Sequence, residues 1–134
     1  MASKKYSKHK LEIYYKYNCH CAYCGVSIGI KDMQIDHIIP QLNFFNFVSK
    51  QIYIPEFLKH LTIDDVHHLD NLNPSCRVCN LWKSTYHLEL FRNEIKEQTK
   101  RLQLRSSNYR VAKLYGLIIE TDIKVKFYYE NCKK

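Results

Sequence analysis

Residues 70–84 read Asp-Asn-Leu-Asn-Pro-Ser-Cys-Arg-Val-Cys-Asn-Leu-Trp-Lys-Ser, and at their centre Cys76-x-x-Cys79 sets two thiols across one tight turn. A second pair, Cys21-x-x-Cys24, stands upstream within CHCAYCG at 19–25. One such pair alone is a weak sign. Two in a single small chain predict a tetrahedral four-thiolate zinc site with bonds of about 2.3 Å. The segment between the pairs, residues 25–75, is longer than the spacing within a zinc ribbon, so the metal is expected to tie distant segments together. Four cysteines close the coordination sphere, which makes the predicted zinc structural. Cys19 competes as a ligand beside Cys21, and Cys132 is read as a bystander.

Working outward, Ile35-Asp36-His37-Ile38-Ile39-Pro40 lies between the cysteine pairs. Met33–Ile38 alternates Met33, Ile35 and His37 against Gln34, Asp36 and Ile38, the pattern of a strand. A helix is expected from Lys8 to about Tyr17, stopped by Asn18. Residues 41–70 are read as a long irregular excursion with one short helix at Pro55–His60; a loop of that length carries function or hides an element. Beyond the second pair, helices are expected over Asn80–Lys83, Leu88–Leu102 (capped by Thr85, with Leu88, Phe91, Ile95 and Leu102 as its stripe) and Tyr109–Tyr115. Ile123–Tyr129 alternates like a half-buried strand. No repeat or linker divides the chain. The expectation is one domain over 1–134: a core at 19–85, a basic N-terminal helix at 5–18, and a helical and strand extension at 86–131.

The elements CxxCG, DHIIP, NLxPxCxxCN and a following Lys cover residues 21–84 in order, and here the chain resembles a known family. It looks like an HNH endonuclease of the ββα-metal (His-Me finger, treble-clef-like) class, in the branch with two CxxC zinc knuckles; the LELFRNEI helix is similar to bacterial and phage members. The resemblance implies an α+β fold with flanking helices and a DNA phosphodiesterase. His37 would be the general base and Asn71 would hold the loop and orient that base. Asp36 and Asn80 would ligate a catalytic Mg²⁺ or Mn²⁺, and Lys83 would face phosphate. Family members often carry His where this chain has Asn80; an amide oxygen favours the harder ions. Asp36 and His37 point to opposite sides of a regular strand, so the implied site needs a local distortion there. His67 and His68 are read as exposed loop residues, and Trp82 is expected to pack under the zinc.

Composition agrees with such a partner. Of 134 residues, 21 are Lys or Arg and 13 are Asp or Glu, giving a formal charge of +8. That excess points to a polyanion. Arg92, Lys100 and Arg101, together with Lys83 and the lysines of the first 18 residues, are expected to track phosphates without reading bases. No run of eighteen apolar residues exists and no apolar stretch follows the basic start, so neither a membrane partner nor a secretory signal is expected. A cytoplasmic, reducing location is therefore expected. A homodimer or a phage or mobile-element protein remains open as a further partner, as does a catalytically silent DNA-binding role.

Overall fold

The computed structural model describes residues 6–132. The first lysines of the basic start, Lys4 and Lys5, lie outside them. The architecture is mixed α+β, as expected. Helix α1 (Lys8–Tyr15) is capped by Ser7, whose hydroxyl accepts the Lys10 N–H. Asn18 follows with φ 53°, the left-handed turn anticipated for it.

Strand β1 (Gln34–His37) pairs antiparallel with β2 (Leu72–Ser75), placing Asp36 opposite Asn73 and His37 opposite Leu72. Cys76 then caps α3 (Arg77–Lys83) with its sulfur, which accepts the Cys79 N–H. Helix α3 therefore begins three residues earlier than the sequence suggests. The alternation in β1 resolves against simple hydropathy: Asp36 faces inward at 4% exposure, whereas Ile35 stays 38% exposed.

The excursion does hide an element. Helix α2 (Phe44–Lys50) buries Phe44 and Val48, one turn apart. The helix expected at 55–60 shrinks to a 3-10 turn, Glu56–Leu58, and a second such turn, Leu69–Asn71, leads into β2. The core collects Tyr23, Ile38, Ile39, Phe44, Leu58, Leu61, Phe91 and Phe127. Each large side chain so buried contributes about 1.5–3 kcal/mol.

The C-terminal part departs from expectation twice. Residues 88–102 form two helices, α4 (Leu88–Lys96) and α5 (Gln98–Arg105), with a break at Glu97. The Gln98 side chain donates to the Glu94 carbonyl at the break. Leu102 is 43% exposed and does not extend the buried stripe. His87 rather than Thr85 caps α4, accepting the Leu90 N–H. Helix α6 (Ser107–Leu114) ends as expected near Gly116, at φ 75°.

Residues 123–127 form no strand: Phe127 is buried and Val125 half-buried, Ile123 is 79% exposed, and none has a ladder partner among the described residues. Phe127 wedges against Tyr23 and Phe91, and the Tyr128 and Tyr129 N–H groups donate to the Tyr23 and Ala22 carbonyls. The tail is thus laid across the first cysteine turn.

Candidate functional site

The fold brings both cysteine pairs together. One sulfur from each of Cys21, Cys24, Cys76 and Cys79 lies within 4.8 Å of all the others. Cys24 Sγ and Cys76 Sγ are 3.8 Å apart. Bonds of about 2.3 Å in a tetrahedron put sulfurs about 3.8 Å apart, so the four thiols fit a structural zinc ion. Their charges say the same. Cys21 is held as a thiolate at about 4, first by the Cys79 thiol and then by backbone N–H groups that outweigh its burial. Burial, then the Cys21 charge, pushes Cys24 up to about 11. Hydrogen bonding to Cys21, then burial, pushes Cys79 up too. Without a cation the cluster resists a second thiolate; a dication would draw off the remaining protons. Cys19 and Cys132 stand outside the cluster. Trp82 does not pack under it: the indole is 49% exposed.

Next to this cluster lies a buried charged pair. Lys83 Nζ sits 3.2 Å from Asp36 Oδ2 and donates to the His37 carbonyl at 2.8 Å. The Tyr23 hydroxyl donates to the same carboxylate oxygen. Lys83 is 0% exposed, so the expectation that it faces phosphate is overturned: its ammonium is used inside the protein. Burial pushes Asp36 up and Lys83 down, each partly offset by the other.

Asp36 therefore has one oxygen engaged and one open. Both of its contacts fall on Oδ2, leaving Oδ1 without a hydrogen bond among the described residues. The half-buried Asn80 side chain also has none there. Asn80 lies one turn before Lys83 on α3, on the side facing β1. One carboxylate oxygen and one amide oxygen are hard donors that fit Mg²⁺ or Mn²⁺ completed by water and phosphate. Lys83 beside the carboxylate weakens that affinity.

His37 ends β1, half-buried, between two partners. Its Nε2 is 3.0 Å from His67 Nδ1, and its Nδ1 is 3.4 Å from Gln41 Nε2. An amide nitrogen donates, so in this arrangement His37 Nδ1 accepts and Nε2–H is donated to His67. Burial, then His67 and Lys83, lower His37 to about 4. The imidazole is thus neutral at pH 7. His67, expected as an exposed loop residue, is exposed and is also its partner. Sequence reasoning missed Gln41 and Tyr23 as well; for His67 the only available signal was its place in a His-His pair just before Asn71.

Asn71 is buried between two loop segments. It is 0% exposed, accepts the Ile39 N–H at 2.7 Å, and donates to the Ile39 and Val66 carbonyls at 3.1 and 3.0 Å. It therefore stitches the segment after His37 to the segment before His67.

Of the expected phosphate-tracking residues, Arg92 and Arg101 are engaged elsewhere. Arg92 pairs with Glu89 and Glu130, and Arg101 with Glu94 at 2.7 Å. Lys16 donates to the Leu69 and Leu72 carbonyls. Lys100 remains exposed, as do Arg77, Lys96 and Arg105. Two clefts of about 830 and 980 Å³ are lined by other residues, and His37 lies in neither of them. No helix among the described residues is long and apolar enough to cross a membrane. No family model, curated protein or solved structure matches the chain.

Proposed function

We propose that this protein is an HNH-type endonuclease of the ββα-metal class that hydrolyses phosphodiester bonds in DNA, nicking one strand with low sequence specificity. The observation that carries this reading is His37, neutral and oriented at the end of β1. Helix α3, which carries Asn80, packs against that strand and starts at the four-cysteine cluster.

Each residue has a task. His37 Nδ1, held only by the long Gln41 contact, accepts the proton of the attacking water. His67 anchors Nε2–H and so fixes both tautomer and ring. Asn71 holds the loop that carries the pair. Asp36 Oδ1 and Asn80 Oδ1 hold the divalent ion, which when bound supplies positive charge to the phosphate and the departing oxygen. Lys83 positions Asp36 and His37 from behind. Zinc in the cysteine cluster fixes the start of α3, next to Asn80. The exposed Lys96, Lys100 and Arg105 and the net charge of +8 suit a phosphate backbone.

A supercoiled-plasmid nicking assay with Mg²⁺ or Mn²⁺ tests this. Wild type should nick; His37→Ala should not, while retaining salt-dependent DNA binding. Equal behaviour of the two removes the enzyme reading. A second reading, an accessory subunit acting in a complex, is favoured by one observation. Leu104, Leu114, Leu117, Ile119 and Ile123, all in the C-terminal part, are each at least 70% exposed, apolar surface that a partner could cover. Nicking that appears only when another protein is added would support it.

A further inference from the structure

We infer that His60, His68 and Asp70 form a second transition-metal site, of the Zn²⁺ class, separate from the four cysteines and from His37. One ring nitrogen of each histidine and a carboxylate oxygen of Asp70 lie within 4.8 Å of one another. His60 Nε2 is 2.8 Å from Asp70 Oδ2, and His68 Nδ1 is 3.8 Å from the same oxygen. Bonds of about 2.0–2.2 Å to nitrogen and oxygen put neighbouring donors a little over 3 Å apart, between those two distances. Sub-ångström shifts would therefore seat an ion. Two imidazoles and a carboxylate are borderline donors that take Zn²⁺, Ni²⁺ or Co²⁺ over Mg²⁺, and three protein ligands leave a position for water.

The backbone beneath the cluster is set independently of any ion. Leu58 and Leu61, at 0% and 3% exposure, anchor the segment around His60. The buried Asn71, with its three side-chain bonds, anchors the residue after Asp70. The His68 carbonyl accepts the Asn71 N–H; His68 Nδ1 accepts the Asp70 N–H at 3.0 Å and would release that bond on ligating an ion. The three ligands are thus half-exposed side chains on a fixed frame, open to an incoming ion. His68 adjoins His67, the partner of His37, so an ion here would clamp the end of the excursion against the base. The metal site stands on its own geometry; only this last consequence rests on the proposed nuclease reading.

Equilibrium dialysis of the zinc-loaded protein against Co²⁺, without DNA, tests the site. One equivalent with visible bands of a nitrogen-ligated ion and without sulfur charge-transfer absorption should bind, and it should persist in Asn80→Ala, which empties the proposed oxygen-ligand site. His60→Ala and Asp70→Asn should each weaken it by roughly tenfold or more. His37→Ala, His67→Ala and His9→Ala should leave it unchanged. Near-ultraviolet circular dichroism checks that the variants keep the fold. Absence of this equivalent in wild type, its survival in both ligand variants, or its loss in His67→Ala or Asn80→Ala overturns the proposal. None of these readouts depends on nicking, so the two readings fail separately.

Discussion

The Lys83 ammonium lies 3.2 Å from the Asp36 carboxylate, with the two side chains at 0% and 4% exposure. Such a pair is held together by need more than by gain, since each charge loses its hydration and has only the other, the Tyr23 hydroxyl and the His37 carbonyl in exchange. Lys83→Met keeps the volume and removes the charge. Chemical denaturation should show a loss of about 3–5 kcal/mol, because Asp36 is left buried and unpaired. Asp36→Asn in the same background should recover part of it. A lysine that merely contacted phosphate would leave stability unchanged.

Zinc removal should act on α3 without touching any residue of the proposed reaction. Elemental analysis is expected to find one tightly held zinc per chain. A strong chelator, or Cys79→Ser, should lower the melting temperature, expose the cluster's thiols to titration and stop nicking together. All six thiols being reactive in the folded, untreated protein would defeat the prediction.

Asn71 makes three side-chain bonds to a backbone that has no other partners for those groups nearby. Asn71→Ala should cost about 2–4 kcal/mol, from buried N–H and C=O groups left unsatisfied. Asn71→Asp retains the acceptor for the Ile39 N–H but loses both donated bonds, so it should remain well below wild type. Both variants should also reduce nicking, since the bonds join the His37 and His67 segments.

How far these features could be read in the sequence follows from the range of the interaction concerned. The cysteine pairs are legible because a two-residue spacing across a turn is local and its chemistry narrow. The β1 strand was legible through its short alternating run, and α6 through its capping Gly116. The excursion was not. Helix α2 sets Phe44, Phe47 and Val48 against the core, but over seven residues with an exposed Phe45 among them this spacing does not stand out. Alternation over 123–129 recorded burial correctly at Phe127 but not a ladder, because a chain can bury alternate residues by lying across a turn. Charge misled in a similar way. Lys83, Arg92 and Arg101 count as cations in any tally, yet each is held by an acidic partner from another turn or segment.

His67 gives a sharper test of the proton-transfer geometry. If it fixes the His37 tautomer through the 3.0 Å bond, His67→Ala should lower kcat by about tenfold to a hundredfold with little change in KM. His67→Gln, which can still accept from Nε2–H, should recover much of the loss. Equal defects in both variants would show that the second ring itself, not its acceptor, is required.

Arg92 should prove a clamp and not a phosphate contact. Its guanidinium pairs with Glu130 at 2.8 Å and Glu89 at 2.9 Å, donates to the Val125 carbonyl, and lies 4.5 Å from the Phe127 ring centroid. Arg92→Ala should therefore release the tail and cost about 1 kcal/mol, the pair being partly solvated. The salt dependence of DNA binding should change little. Burial alone would raise Glu130, but Arg92 and the Phe127 N–H outweigh it and hold the carboxyl below its ordinary 4.5. The folded state thus binds its proton less readily than the unfolded one. The stabilisation is full above about pH 4.5 and is lost as pH falls through the lower folded value. Melting curves of wild type and Arg92→Ala should accordingly lie apart at neutral pH and converge on acidification. A gap that stays constant with pH would mean that the clamp works through packing on Phe127 and not through charge.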